Sequence, residues 1–193
     1  SSLPGMALNE AAVQLMSSLA LHQPTDSVKY FDITLPTISP SYYALECNLI
    51  AQMAYITGYS TLFNSTLNSN SAFKDAFTSL TNKHAYSTIE HCLDNLMYLE
   101  DDLANENLKL ANEDELNKIS KISKRIEKLR NKINELFIQT QNYILTSYFD
   151  SAFELVQTEE HVEAYRKKLY NYKNYIGTTQ NYTFFNDYYI NKM

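Results

Sequence analysis

Residues 89–136 read IEHCLDNLMYLEDDLANENLKLANEDELNKISKISKRIEKLRNKINEL, and this stretch decides the fold. Apolar residues in its first half recur at alternating steps of three and four with one polar interruption: Ile89, Cys92, Leu96, Leu99, Leu103, Glu106 and Leu110. The second half repeats the pattern without interruption: Ile119, Ile122, Ile126, Leu129, Ile133 and Leu136. Such steps place apolar side chains along one side of a helix, as in a coiled coil. Each half therefore predicts a long helix with a narrow apolar seam.

The two seams are out of phase, because Leu110 and Ile119 are nine residues apart where seven would keep the register. A break of this kind indicates a stutter in one helix or a turn between two. Between the seams, Asn112 is a good N-cap and Glu115 stands where the acid of a capping box belongs. We therefore expect the chain to reverse near Asn112. The alternative is one long helix that offers its seam to a partner chain.

Charge supports the reversal. Residues 100–118 contain seven acids and two lysines, whereas residues 118–132 contain seven basic residues and one glutamate. Folding back lays the acidic arm along the basic arm and brings Leu103 near Ile122. Surface ion pairs contribute only about 0–1 kcal/mol each, so the charges select the orientation and the apolar layers supply the stability. We expect the acidic arm to be a simpler partner for the basic arm than nucleic acid or an acidic membrane.

Helical patterns cover most of the remaining chain. The sequence predicts helices over residues 7–21, 40–63, 72–156 (with the reversal described above) and 158–176. Ser39 is the expected N-cap of the second helix, which tolerates Gly58, and Thr158 is that of the last, which Gly177 ends.

The segments between these helices are polar or extended. We expect a polar loop over residues 64–71, and an extended crossover over residues 24–40 with at most one isolated strand at 31–35. The predicted fold is all-α: a small helical bundle with a long antiparallel, coiled-coil-like hairpin. It forms a single domain, 1–193, from which residues 86–136 project.

Composition excludes several classes of function. The 193 residues include three glycines, Gly5, Gly58 and Gly177, which are too far apart for a phosphate-binding loop. The net charge of -6 argues against a general nucleic-acid binder. No run of about 18 apolar residues predicts a transmembrane helix. We expect a soluble protein of unknown compartment, secreted or periplasmic if its N-terminus is processed.

No residue pattern points to catalysis. His84, His91 and Asp94 share a helical face, but the chain lacks the Glu-x-x-His of di-iron bundles and the H-E-x-x-H of zinc proteases. Cys47 and Cys92 lack the spacing of zinc ligands and are expected to be reduced, buried thiols rather than a disulfide. We therefore expect no catalytic residue, no metal, no cofactor and no enzymatic activity.

Two functions remain open. The first is a non-enzymatic interaction protein (adaptor, secretion-associated protein or surface component) that presents the hairpin and an aromatic C-terminal region to a protein partner or to a second copy. Its expected partner surface is Tyr182, Phe184, Phe185, Tyr188 and Tyr189, in a tail that packs back on the body or awaits a partner. The alternative is an extracytoplasmic sensor or small-ligand-binding bundle, in which Glu46, Asn48 and Gln52 on the apolar helix 40–63 face a ligand.

Overall fold

The predicted all-α class is confirmed. The computed structural model describes residues 3–21, 28–30, 33–35, 42–177 and 182–192. Within these ranges the helices are α1 (Met6–Ala20), α2 (Ala44–Thr57), α3 (Tyr59–Asn68), α4 (Ala72–Leu80), α5 (Ala85–Ala111), α6 (Leu116–Phe153), α7 (Glu159–Ile176) and α8 (Tyr182–Lys192). Two short strands, β1 (Val28–Tyr30) and β2 (Ile33–Leu35), lie between α1 and α2.

The reversal of the chain between the two seams is confirmed, and α5 and α6 form the antiparallel hairpin. The predicted capping box is wrong. Asn112 belongs to the end of α5, where its side chain donates to the Leu108 carbonyl at 3.0 Å, and Glu115 precedes the first residue of α6. The Glu113 carboxylate accepts from the Glu115 amide at 3.1 Å. The turn is therefore longer than a single N-cap, and Asn112 closes the first helix rather than opening the second.

The predicted helix 40–63 is divided at Gly58. Gly58 has φ 96° and ψ 136°, outside the helical region, so α2 ends at Thr57 and α3 begins at Tyr59. Ser39 and Pro40 lie outside the described residues, and α2 begins at Ala44. An interior glycine is compatible with either a continuous helix or a break, and the positive φ of Gly58 shows that this glycine lies at a break.

The polar loop predicted over 64–71 is shorter than expected, because α3 continues to Asn68. Its polar side chains bond within the helix: Asn68 Nδ2 donates to Asn64 Oδ1 at 2.6 Å, and Thr66 Oγ1 donates to the Leu62 carbonyl at 2.8 Å. Ser69, with φ 50°, then ends the helix in the left-handed conformation.

The isolated strand predicted near 31–35 is wrong, since β2 pairs with β1 in an antiparallel hairpin. The register places Val28 opposite Leu35 and Tyr30 opposite Ile33. Ile33 and Leu35 are buried in the main core and Thr34 is half-buried, which is the period of two that a strand with one covered face requires.

Two hydrophobic cores organise the helices. The main core surrounds α2, which is buried at every position from Ala44 to Ala54, and includes residues of α1, α4, α5 and the middle of α6. The second core joins the end of α6 to α7 and α8 around Phe149. As predicted, Thr158 caps α7, accepting the His161 amide at 3.2 Å, and the helix ends at Gly177. No helix in the described ranges is both long and apolar enough to cross a membrane.

Candidate functional site

The three polar residues predicted to face a ligand, Glu46, Asn48 and Gln52, all lie inside the main core. Gln52, 1% exposed, is the centre of a hydrogen-bond network that joins three helices. Its Nε2 donates to Asn48 Oδ1 and to Gln141 Oε1 of α6, each at 2.9 Å. Its Oε1 accepts the hydroxyl of Tyr172 of α7 at 3.2 Å. Both amide protons and the carbonyl oxygen of Gln52 are therefore bonded within the protein.

This network fills the region where the sequence predicted a ligand pocket. A surface groove of about 460 Å³ lies between α1, α3 and α4, but Glu46, Asn48 and Gln52 do not line it. Asn48 and Gln52 thus have protein groups as partners. The ligand-facing role of the three residues stays a prediction.

Glu46 lies near another carboxyl group, that of Glu100 on α5. It has no exposed surface, and neither of its side-chain oxygens has a hydrogen-bond partner among the described residues. Burial is the largest influence on this carboxyl and raises the pKa of Glu46 above its usual value of 4.5. The Glu100 side chain and the backbone amide of Glu46 lower that pKa and are weaker influences, while the negative charge of Asp101 raises it further. The environment therefore favours the protonated form.

Further acidic groups surround this contact. The hydroxyl of Tyr43 is hydrogen-bonded to Glu10 of α1, which raises the pKa of Tyr43 to about 12. The Cys47 thiol donates to the Ala11 carbonyl, with Sγ and O 3.3 Å apart, and burial raises the pKa of that thiol. We call the four carboxyl groups at this meeting point of α1, α2 and α5 the acidic junction: Glu10, Glu46, Glu100 and Asp101.

The aromatic C-terminal region packs against the end of α6. Phe185 is 4% exposed in the second core, and the Tyr188 hydroxyl donates to Asp150 Oδ1 at 2.7 Å. Lys192 Nζ lies 3.2 Å from the same oxygen. Phe184 and Tyr189 are half-buried, and the side chain of Tyr182 is outside the described residues. Of the two expectations for this tail, docking on the body is the one observed, and Phe185 is covered by it.

Burial along the seam of the hairpin is uneven, and it is incomplete at the turn. Leu96, Leu103, Leu129 and Ile133 are buried, and the seam residues nearest the turn, Leu110, Ile119 and Ile122, are half-buried. The polar interruption of the seam, Glu106, is 3% exposed and lies 3.1 Å from both Arg125 Nε and Lys109 Nζ. Arg125 Nη2 also lies 3.4 Å from Asp102 Oδ2. These contacts bracket Leu103, in agreement with the predicted antiparallel orientation.

The charge pairing between the arms is less extensive than the sequence suggested. Both ion pairs that cross between α5 and α6 among the described residues are made by Arg125. Four exposed lysines of α6 make no ion pair with any residue whose position is described, and we call them the lysine stripe: Lys121, Lys124, Lys128 and Lys132.

The residues considered for metal binding do not form a site. His84 and His91 are exposed, and Asp94 accepts the backbone amides of Gly5 at 2.8 Å and Ala7 at 3.2 Å, which fixes the start of α1 to α5. The described part of the chain contains no cluster of three or more groups able to hold a metal ion. Both cysteines are free; Cys47 is buried as expected, but Cys92 is half-buried.

Sequence reasoning missed the partners of the polar residues on α2. Gln141, Tyr172 and Glu100 are distant from α2 in the sequence, and the only signal that could have indicated them is their polar character on otherwise apolar helical faces.

Comparisons with protein-family models, curated proteins and solved structures find no match to this chain.

Proposed function

We propose that the protein is a non-enzymatic interaction protein that presents its α5–α6 hairpin to a protein partner, as an arm extending from the helical body. The lysine stripe is the observation that carries this proposal. Among the described residues, the ion pairs that join the basic arm to the acidic arm are made by Arg125 and not by these lysines. The stripe is therefore available to an acidic surface outside the hairpin.

The lysine stripe has the dimensions of a helix-sized contact. Its members follow each other at steps of three, four and four residues, which keeps them on one side of α6. From Lys121 to Lys132 the helix rises about 16 Å, at about 1.5 Å per residue. Partner carboxylates at helical spacing match this length.

The composition of the surface favours an acidic protein over other polyanions. Glu127 and Glu135 lie beside the lysines in the same shallow depression. They would repel a uniform row of phosphates, whereas a protein surface can offer negative charges to the lysines and positive charges to the glutamates. The exposed stripe itself consists of lysines, so it contains no apolar residue that could enter a membrane. The half-buried seam near the turn, which includes Ile122 and Ile126, offers additional apolar area to a partner helix.

The aromatic C-terminal region offers a second, smaller surface to a partner. Its outer side includes Ile190, which is 70% exposed, and the half-buried Tyr189. A partner reaching α8 would contact these residues, whereas Phe185 supports α8 from within.

The alternative function, a small-ligand-binding bundle, is favoured by the groove between α1, α3 and α4. Its volume of about 460 Å³ falls within the range of roughly 300–1,000 Å³ that is usual for ligand pockets. Lys74, which lies over the ring of Tyr86, would be the charged group of such a site.

The proposal is tested by reversing the charge of the lysine stripe. The variant K121E/K124E/K128E/K132E and the control variant K29E/K83E/K167E/K168E both change the net charge from -6 to -14, since each substitution contributes -2. The control lysines are also exposed and make no ion pair among the described residues. Partners are captured from the native host with each protein and quantified by mass spectrometry, after circular dichroism has shown equal helicity.

We expect at least one protein with an acidic surface to be captured by the wild type and the control but not by the stripe variant. Purified, that protein should bind the wild type with an affinity that falls as salt rises. Equal capture by all three proteins contradicts the proposal. Binding of duplex DNA or anionic vesicles that depends on the stripe would assign it to another class of partner.

A further inference from the structure

A polar groove lies between the end of α4 and the last turns of α6, away from the lysine stripe. Its volume of about 310 Å³ is at the lower end of the roughly 300–1,000 Å³ that is usual for ligand pockets. Helix α6 lines it with two rows of side chains four residues apart, which are Tyr143, Ser147 and Ser151, and Thr146, Asp150 and Glu154. Residues at this spacing are neighbours on one side of a helix. The end of α6 therefore has a continuous polar side.

The hydroxyl of Ser147 is the observation that points to a ligand. Ser147 is 7% exposed and lines the groove, but its hydroxyl makes no hydrogen bond to any described residue. Serine and threonine inside a helix commonly bond to the carbonyl one turn earlier. The adjacent Thr146 does so, donating to the Tyr143 carbonyl at 3.3 Å. Ser147 therefore retains a donor and an acceptor for a group that enters the groove.

The charges around the groove favour a cation. Asp150 and Glu154 are the charged groups among its described lining residues, and both are acidic. The C-terminal ends of α4 and α6 adjoin the groove at Thr81 and Glu154, and neither helix has a basic residue in its last turn. A helix C-terminus carries a partial negative charge that a cation stabilises. A positively charged ligand would supply this stabilisation at both helix ends.

The contacts of Asp150 determine how much negative charge remains for a ligand. Lys192 Nζ lies 3.2 Å from Asp150 Oδ1, and the Tyr188 hydroxyl donates to the same oxygen at 2.7 Å. Asp150 Oδ2 and the Glu154 carboxylate make no hydrogen bond or ion pair with the described residues. Because Lys192 balances one of the two carboxylates, the groove keeps the charge of the other. A single ammonium group matches that charge.

We propose that this groove binds a small organic cation with one ammonium group and several hydroxyl groups, such as an amino sugar. The ammonium group bonds to Asp150 Oδ2 and to Glu154, and the hydroxyls bond to Ser147 and its polar neighbours. This site is independent of the hairpin contact and of the groove between α1, α3 and α4.

The other polar groups of the lining suit hydroxyls, which both donate and accept hydrogen bonds. The Thr81 hydroxyl donates to the Phe77 carbonyl at 2.6 Å, so its oxygen remains an acceptor. The Asn82 Oδ1 atom accepts the His84 amide at 3.0 Å, so its NH₂ group remains a donor.

A metal ion fits the groove less well than an organic cation. Calcium takes six to eight oxygen ligands at short distances, and the described part of the chain contains no cluster of three or more groups able to hold a metal ion. A volume of about 310 Å³ is also far larger than an ion requires.

The test is a titration of the ¹⁵N-labelled protein with glucosamine, followed through the chemical shifts of the backbone amides. Glucose is the matched neutral probe, since it has a hydroxyl in place of the ammonium group. Both titrations are made at pH 6 and constant ionic strength, where the amine is protonated. They are repeated with E154Q and S147A and with the control variants E160Q and S17A. Glu160 and Ser17 are exposed and do not line the groove.

We expect glucosamine to cause saturable shifts at residues 81–82 and 143–154 in the wild type and in both controls, and glucose to cause none. E154Q should bind glucosamine about tenfold more weakly or worse, because it loses a hydrogen bond between charged groups. S147A should bind about two- to tenfold more weakly. Its thermal midpoint should equal or exceed that of the wild type, since the hydroxyl it removes has no partner in the free protein.

Three results would overturn the proposal. Absence of saturable shifts at these residues in the wild type does so without the need for any variant to fold. Equal binding of glucose and glucosamine removes the role of the charge, as does equal binding of glucosamine by the wild type and E154Q. Saturable binding of calcium chloride at the same residues, with no effect of glucosamine, would assign the groove to a metal ion instead.

Discussion

Replacing Gln52 by methionine separates a structural network from a ligand site. Methionine matches the length of glutamine and is compatible with a core, so the substitution removes hydrogen bonds with little change of volume. Gln52 bonds Asn48, Gln141 and Tyr172, and each would lose a partner inside the main core. If the network is structural, the variant must be less stable than the wild type.

The magnitude follows from the number of groups left without a partner. A buried polar group that loses its hydrogen bond costs about 1–3 kcal/mol. Asn48 and Gln141 both have side-chain amides that can turn towards other groups, so we expect a total loss of about 2–4 kcal/mol, less than three full penalties. Gln139 is exposed on α6, and Gln139→Met should change the free energy of unfolding by less than about 0.5 kcal/mol.

A double-mutant cycle with Tyr172 sharpens the test. Tyr172→Phe alone removes one hydrogen bond and should cost about 1 kcal/mol. Introduced into Q52M, the same change removes a hydroxyl that already lacks its partner, and it should be neutral or stabilising. The coupling energy between the two positions is then about 1 kcal/mol or more.

Urea unfolding followed by circular dichroism gives the free energies, provided that the slope with denaturant is equal in all variants. Residues kept for ligand binding often reduce stability, so that replacing them stabilises the protein. An increase in stability for Q52M, or additivity in the cycle, would refute the structural interpretation and favour the ligand-binding alternative.

Two further substitutions test the break between α2 and α3 and the packing of α8 against the helical body. Gly58→Ala introduces a side chain at φ 96° and ψ 136° where its Cβ would meet nothing within 4 Å, so the expected loss of about 1–3 kcal/mol in thermal unfolding comes from the backbone conformation alone; an unchanged stability would show that the break between α2 and α3 does not require glycine. Phe185→Ala removes the buried anchor of α8 and should increase hydrogen exchange in residues 182–192 while leaving α5 and α6 protected; uniform exchange throughout the chain would show that α8 is not a separate unit.

The hairpin could be predicted from the sequence because its signals are local and agree with each other. A seam at steps of three and four, a phase break and a change in the sign of charge all fall within 48 residues. The details of the turn could not be predicted in the same way. Asn112 is suited to either helix end, and its bonds to the last turn of α5 fix its place: its side chain donates to the Leu108 carbonyl and its backbone amide to the Lys109 carbonyl.

The interior polar contacts were not predictable, because each joins residues that the sequence leaves unrelated. Gln52 and Tyr172 are 120 residues apart, and nothing in the pattern of α7 distinguishes Tyr172 from the other tyrosines of its stripe. The pairing of the two strands was missed for a similar reason. Alternation in residues 31–35 indicated β2, but β1 is only three residues long and became visible through its pairing with β2.

Two kinds of polar group bear on function: buried groups that are bonded within the protein, and exposed groups that make no ion pair among the described residues. This difference favours the hairpin as the surface that meets a partner. Gln52 and Asn48, which looked like ligand contacts in the sequence, are bonded to each other and to α6 and α7. The lysine stripe, which looked as if the neighbouring arm neutralised it, makes no ion pair with the described residues. A buried amide with all its bonds made has nothing left to offer a ligand, whereas an exposed row of like charges retains its full capacity for an external partner. We therefore propose that the outer face of α6 is tested first, and the Q52M variant tests the interior of the bundle.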